Sequence, residues 1–309
     1  MSKKIIFMGT PLFAVPILKS LYQNGYDVSA VYTQPPQKSH RGQKINKSPI
    51  QGISETLNLD FRTPHTLKDN KEEYDFLKNL KADLAIVVAY GQILSKDILK
   101  LSRNGFINIH ASLLPKWRGA APIQRSLINM DKITGISIMK INQNLDEGPV
   151  CNKYPVEILE NENAKNLSNR LSKLSAEKIL ENIDKIFNQK VNFEEQDNSA
   201  ASYAKKIQKK EGKINWAESA NKIIAKINGL YPSPGAWFNF ENQRYKILKA
   251  ELSENSAKLG EIIDDELTIS CGEKSLKVIE IQREGKKPQL IKEFLLGSKL
   301  KKGIILYND

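Results

Sequence analysis

The stretch 107–121, INIHASLLPKWRGAA, holds the side chains best suited to chemistry. Asn108 and His110 stand two apart in a run that reads as a β-strand, so both leave the same face of a sheet near its carboxyl edge. At a buried strand end an amide and an imidazole must be hydrogen-bonded or used. A carboxylate, Asp146, follows in NLDEGP, a loop at the end of another strand-like run. An amide, an imidazole and a carboxylate meeting at one place suit acyl transfer to an amine. Asn108 can donate to a developing oxyanion, while His110 and Asp146 share the proton handling. No activated Ser or Cys accompanies them, so direct attack by a bound amine is expected rather than covalent catalysis. On residue type alone, a satisfied structural histidine fits the same position.

These residues must be positioned by the elements around them. KKIIFMGT is a short strand and turn, PLFAVPILKSLYQNG has helical spacing with Gly25 as its C-terminal cap, and YDVSAVYT is a second strand. EYDFLKNL is helical, ADLAIVVAY is a continuous apolar run of the parallel-sheet kind, and FINIHA is another strand. Such alternation predicts βαβ units and a doubly wound, Rossmann-like α/β domain with functional loops at the carboxyl ends of its strands. Those loops are GTP, TQPPQKSHRGQKINKSP, YGQIL and HASLLPKWRG. The first turn carries only Gly9, so the GxGxxG dinucleotide fingerprint is missing. TGISIMKINQNLDEGPVCNKYPVEI reads as two strands around the Asp146 loop, and residues 163–187 as a long amphipathic helix closing the domain. Residues 191–206 lose all periodicity and read as a linker. After them come one helix, the break YPSPG and a series of short strands that predict a small β-barrel. The expected organisation is therefore a catalytic domain 1–190, a linker 191–206 and a barrel domain 207–309.

Lys and Arg number 47 against 35 Asp and Glu, a formal charge of +12, which makes a polyanionic partner worth considering. The loop RGQKINKSP concentrates Arg41, Lys44 and Lys47 beside the expected site, and residues 204–309 hold 20 basic and 14 acidic residues. A solvated basic surface is the alternative reading of both. Cys151 and Cys271 lie far apart without a partner motif, which suits packing roles in a reducing compartment. The basic N-terminus and its apolar run are interrupted by Gly9, Pro11 and Pro16, and no 18-residue apolar window follows. A cytoplasmic protein with no membrane association is expected, and the lack of heptads points to a monomer. No metal-ligand spacing is evident.

FMGTPLFAVPILKSL, VVAYGQIL, INIHASLLPKWRGAAPIQRSL, TGISIMKINQNLDEGPV and INWAESANKIIAKINGLYPSPGAW together resemble the methionyl-tRNA formyltransferases, a branch of the 10-formyltetrahydrofolate-dependent formyltransferases. The resemblance runs through essentially the whole chain, and HASLLPKWRGAAPIQ is its most specific block. It implies a Rossmann-like domain that binds 10-formyltetrahydrofolate, and an OB-like β-barrel that helps hold methionyl initiator tRNA. The family's catalytic residues fall on Asn108, His110 and Asp146. Its folate-binding turn falls on Ser112, Leu113, Leu114 and Pro115, and the pterin-lining loop on Tyr90, Gly91, Gln92, Ile93 and Leu94. The insertion that reaches the tRNA acceptor end falls on Arg41 and its neighbours. Glu147 departs from the Thr common at that place, and Pro149 follows Gly148. A sugar-nucleotide formyltransferase is the nearest alternative enzyme, and an RNA-binding protein with a relic fold the alternative of another class.

Overall fold

The computed structural model describes residues 3–39 and 44–307. The chain divides into two compact units. The first comprises residues 1–122, 134–156 and 168–204, and the second residues 123–133, 157–167 and 205–309.

In the first unit β1 (Lys4–Gly9) and β2 (Asp27–Tyr32) pair in parallel. A short antiparallel hairpin, β3 (Gln37–Ser39) and β4 (Lys44–Asn46), precedes β5 (Phe61–Arg62). Next come β6 (Leu84–Val88), β7 (Phe106–His110), the two-residue β8 (Arg118–Gly119), β9 (Ile133–Lys140), β10 (Val150–Glu157) and β11 (Tyr203–Ala204). Seven of them form one sheet in the order β10-β9-β7-β6-β1-β2-β5, while β8 pairs with β11. All five residues of β6 are buried, as a central strand covered on both faces requires. From β1 the chain first builds β2 and β5 on one side, then crosses to β6 and β7 on the other, so the order reverses between β1 and β6. That reversal is where open α/β sheets bind ligands.

Capping residues set the helices between these strands. Ser48 accepts from Gln51 N at 2.9 Å ahead of Pro49, opening helix Pro49–Thr56. Asn70 accepts from Glu73 N at 3.2 Å and begins helix Lys71–Leu80, whose first turn holds Glu72 and Glu73 where the helix dipole favours negative charge. Gly25 follows helix Val15–Gln23 with φ +77°, the left-handed cap expected of it.

The strand directions revise one expectation. β7 is parallel to β6 but antiparallel to β9, with Asn108 opposite Met139 and His110 opposite Ser137. The loop 141–149 therefore leaves beside the start of β7, where Ile141 N donates to Phe106 O at 2.8 Å. Asp146 reaches Asn108 and His110 by folding back over their sheet face, not along a shared carboxyl edge. Gly148 permits that return, since a Cβ there would lie 1.9 Å from Lys140 O.

The expected boundaries also shift. Residues 191–204, read as linker, are folded onto the first unit: Glu194 bridges to Val150 and β11 pairs with β8. They lack periodicity because hydrogen bonds, not a buried apolar stripe, hold them. Residues 123–133 and 157–167, expected in the first domain, cluster with the second unit.

The second unit is built on an antiparallel sheet of β12 (Ala236–Phe240), β13 (Gln243–Ser253), β15 (Ser275–Arg283) and β14 (Thr268–Ser270), with β16 (Gln289–Leu290) on β15. Isolated bridges Glu261–Ile305 and Ile262–Ile269 extend it. Helix Ala220–Leu230, capped by Ser219, and Trp216 complete its core, where Trp216 meets Phe238 edge-on at 5.6 Å. Among the described residues no helix is long and apolar enough to cross a membrane.

Candidate active site

Asn108, His110 and Asp146 come together in the first unit. Asn108 Nδ2 donates to Asp146 Oδ1 at 3.3 Å, and His110 Nδ1 lies 3.6 Å from Asp146 Oδ2. The His110 side chain is 6% exposed and that of Asp146 17%, so solvent screens their charges little. His110 Nε2 sits 2.9 Å from Trp117 O. A carbonyl only accepts, so Nε2 carries the ring proton and Nδ1 is the nitrogen turned to the carboxylate. The remaining hydrogen of the Asn108 amide faces only Met139 Sδ at 4.0 Å, a weak acceptor easily replaced by a better one.

Main-chain groups fix this trio. Gly119 N donates to Asp146 Oδ2 at 2.8 Å, and Gly119 holds φ +116° where a Cβ would meet Ala204 O at 2.9 Å. Asp146 itself has φ +51°, a left-handed conformation that Asp tolerates better than most residues. Gln196 Nε2 donates to Asp146 O at 2.8 Å and Gly148 O at 2.7 Å. Trp117, Arg118, Gly119 and Gln196 are absent from the sequence reading of the site. The only signals were the WRG tripeptide at 117–119, in the loop that follows the histidine, and the polar run at 191–206.

The turn after His110 is tightly held. Ser112 is fully buried, donates to Lys116 O at 2.5 Å and offers its own carbonyl to Ser137 Oγ at 2.7 Å. Ser137 in turn accepts from Leu114 N at 3.0 Å. Leu114 packs inward with Met139 and Val150, leaving Leu113 and Pro115 half-buried. In the loop after β6, Tyr90 and Leu94 turn into the core, so neither side chain lines an open surface. The Gln92 amide bridges Pro64 O and Leu67 N, both at 2.9 Å. Gly91 takes φ +88°, and Ile93 stands 88% exposed. Thr10 joins this loop to the first turn by donating to Tyr90 O at 2.8 Å, and Gln34 Nε2 reaches the same carbonyl at 3.2 Å. Three loops are thereby tied together at the point where the strand order reverses.

Of the basic residues expected to contact RNA, Arg41 lies outside the described residues, and Lys44 is placed in β4. Lys47 pairs with Glu55, both carboxylate oxygens at 2.9 Å, an exposed pair weak enough for a phosphate to compete with it. Burial pushes the Cys151 thiol up to about 11 and that of Cys271 up to about 12, which keeps both unreactive. Among the described residues no group of three His, Cys, Asp or Glu side chains is arranged to hold a metal ion.

A parallel sheet that carries an amide, an imidazole and a carboxylate over one strand defines an α/β enzyme of group transfer. Comparison with known proteins gives the family: residues 3–183 match the formyl transferase domain, and residues 206–299 the formyl transferase C-terminal domain. The chain belongs to the formyl transferase family. It is 62% identical, over the full length of both chains, to a methionyl-tRNA formyltransferase of Pelagibacter ubique. It is 41% identical to the methionyl-tRNA formyltransferase of Brucella melitensis biotype 2, over 97% of this chain and 99% of that one. Among solved structures it is similar in fold to an N-formyltransferase from Helicobacter canadensis, in complex with folinic acid and dTDP-3-aminofucose. The TM-score is 0.69 at 19% identity, with 90% of this chain and 99% of that chain covered.

Proposed function

We propose that this enzyme transfers the formyl group of 10-formyltetrahydrofolate to the α-amino group of methionyl initiator tRNA. The observation that carries the reading is the convergence of Asn108 and His110 on Asp146, at 3.3 and 3.6 Å, with the His110 and Asp146 side chains largely shielded from solvent. The choice of acceptor is supported by 62% identity across the whole chain to a methionyl-tRNA formyltransferase.

Each residue then has a defined part. Asp146, held by Gly119 N–H, accepts a proton as the neutral amine forms its bond to the formyl carbon. Asn108 donates its free amide hydrogen to the oxyanion that develops, in place of the Met139 sulfur. His110 has Nε2–H committed to Trp117 O, which leaves Nδ1 facing Asp146 Oδ2 to share the proton that the amine gives up. Collapse breaks the bond from the formyl carbon to the folate nitrogen, which takes up the proton released by the amine. The Ser112–Pro115 turn and the exposed Ile93 offer the backbone groups and apolar surface against which a flat folate ring would lie. Arg41, Lys44 and Lys47, with the basic second unit, would meet the phosphates of the tRNA.

The test is an assay with labelled 10-formyltetrahydrofolate and two acceptors, methionyl initiator tRNA and a nucleotide-linked amino sugar. Formyl transfer to the tRNA alone is expected. Transfer to the sugar alone would reassign the substrate, and transfer to neither would remove the activity. The KM for tRNA should rise steeply with salt while the KM for the folate stays nearly flat.

A further inference from the structure

The segment 194–204 touches the Asp146 loop at one point and, at another, Gly119, which holds the Asp146 carboxylate. At one point Gln196 holds the carbonyls of Asp146 and Gly148, on either side of Glu147. At the other, Ala204 O accepts from Ala121 N at 3.1 Å and packs over Gly119, whose N–H holds the Asp146 carboxylate.

Arg118 decides how Gln196 is oriented. It is 1% exposed, an expensive place for a cation unless every donor is answered. Its Nε and Nη2 donate to Gln196 Oε1 at 3.1 and 2.9 Å, Nη2 also reaches Asn198 Oδ1 at 2.8 Å, and Nη1 lies 3.4 Å from Glu147 Oε1. A guanidinium only donates and a carbonyl only accepts, so the Gln196 amide fits in one orientation: oxygen to Arg118, nitrogen to the Asp146 loop. Glu147 closes the circle, since it also accepts from Asn144 Nδ2 at 2.9 Å.

We infer that residues 194–204 form a positioning strap, in which Gln196, oriented by the buried Arg118, fixes the left-handed turn that aims the Asp146 carboxylate at His110 and Asn108. Gln196 touches no reacting atom and acts through Asp146. Misplacement of a proton acceptor by about 1 Å costs on the order of 10²-fold in rate, so the strap should register in turnover rather than in binding.

Gln196→Glu separates this role from simple folding. It retains an acceptor for Arg118 but cannot donate to the Asp146 and Gly148 carbonyls. This rests on formyl transfer occurring at the trio, and the readout is the ratio of variant to parent on methionyl initiator tRNA. An inactive parent would refute that reading, whereas an active parent isolates the strap. The expected result is a kcat lower by about 10- to 100-fold, a KM for 10-formyltetrahydrofolate within about twofold of the parent, and a folded protein by thermal melting. Gln196→Ala, which puts no charge beneath the carbonyls, gives the same reading if the Glu variant does not fold. Parental kcat in a folded Gln196 variant, or a loss confined to KM, would overturn the inference.

Discussion

Two clusters of largely buried polar side chains in the first unit are made differently. At the far side of the sheet Glu73 accepts from Arg62 Nε at 2.6 Å and Nη2 at 3.0 Å, and from Tyr32 Oη at 2.7 Å. Arg62 also stacks on Phe76, its guanidinium 4.4 Å from the ring centre. Every bond there is short and both carboxylate oxygens are used. Around Asp146 the side-chain contacts stretch to 3.3 and 3.6 Å, while the short bonds come from main-chain donors and Gln196. The first cluster is closed and binds two strands and a helix together. In the second the carboxylate is anchored from behind, and the groups facing it keep capacity for a substrate. Long contacts between catalytic groups before substrate arrives are what general acid–base sites commonly show.

The sharpest way to break this contrast is to remove side chains from each cluster in turn. His110→Ala should lose about 10²- to 10⁴-fold in turnover, the usual contribution of a group that handles the proton, with little change in thermal midpoint. Glu73→Ala should do the reverse. It leaves the partly buried Arg62 guanidinium with only the exposed Glu72 as an acidic partner and should destabilise the fold by about 2 kcal/mol, leaving turnover per folded molecule near the parental value; chemical denaturation and active-site titration would measure the two.

A smaller effect follows from pH. Burial, with the neighbouring Glu73, holds the Tyr32 hydroxyl proton well above the ordinary value of 10.0, and burial does the same for Tyr90. In the unfolded chain both ionise near pH 10, so the native state then binds more protons than the unfolded one. Their effect on stability is constant below pH 10, and stability falls above it by about 1.4 kcal/mol per pH unit for each tyrosine. Smallest is Tyr90→Phe. Among the described residues the buried Tyr90 hydroxyl has no hydrogen-bond partner, so its removal should stabilise the protein by about 1 kcal/mol and reduce the alkaline slope.

Much of this was legible in the sequence, for reasons that differ by residue. Asn108 and His110 were readable because a strand alternates its faces, and the doubly wound α/β class followed from strand and helix patterns that the apolar core enforces. The fold back of the Asp146 loop was not, because the antiparallel setting of β9 leaves no local mark in its residues. Gln196, Gly119 and the Trp117 carbonyl escaped notice since their work passes through main-chain atoms, which every residue carries. Tyr90 falls in the loop that the family resemblance assigns to the pterin, yet its ring enters the core cluster beside Leu94. The pairing of Lys47 with Glu55 depends on where the helix capped by Ser48 begins, a boundary sequence patterns locate poorly.

Formyl transfer is assigned to the trio over β7. Rapid-quench measurement of a single turnover, with Asn108→Ala saturated with 10-formyltetrahydrofolate and methionyl initiator tRNA, tests it most directly. The expected formylation rate is at least about 10²-fold below the parent, with folate affinity and thermal midpoint unchanged. A rate close to the parent's would contradict the assignment.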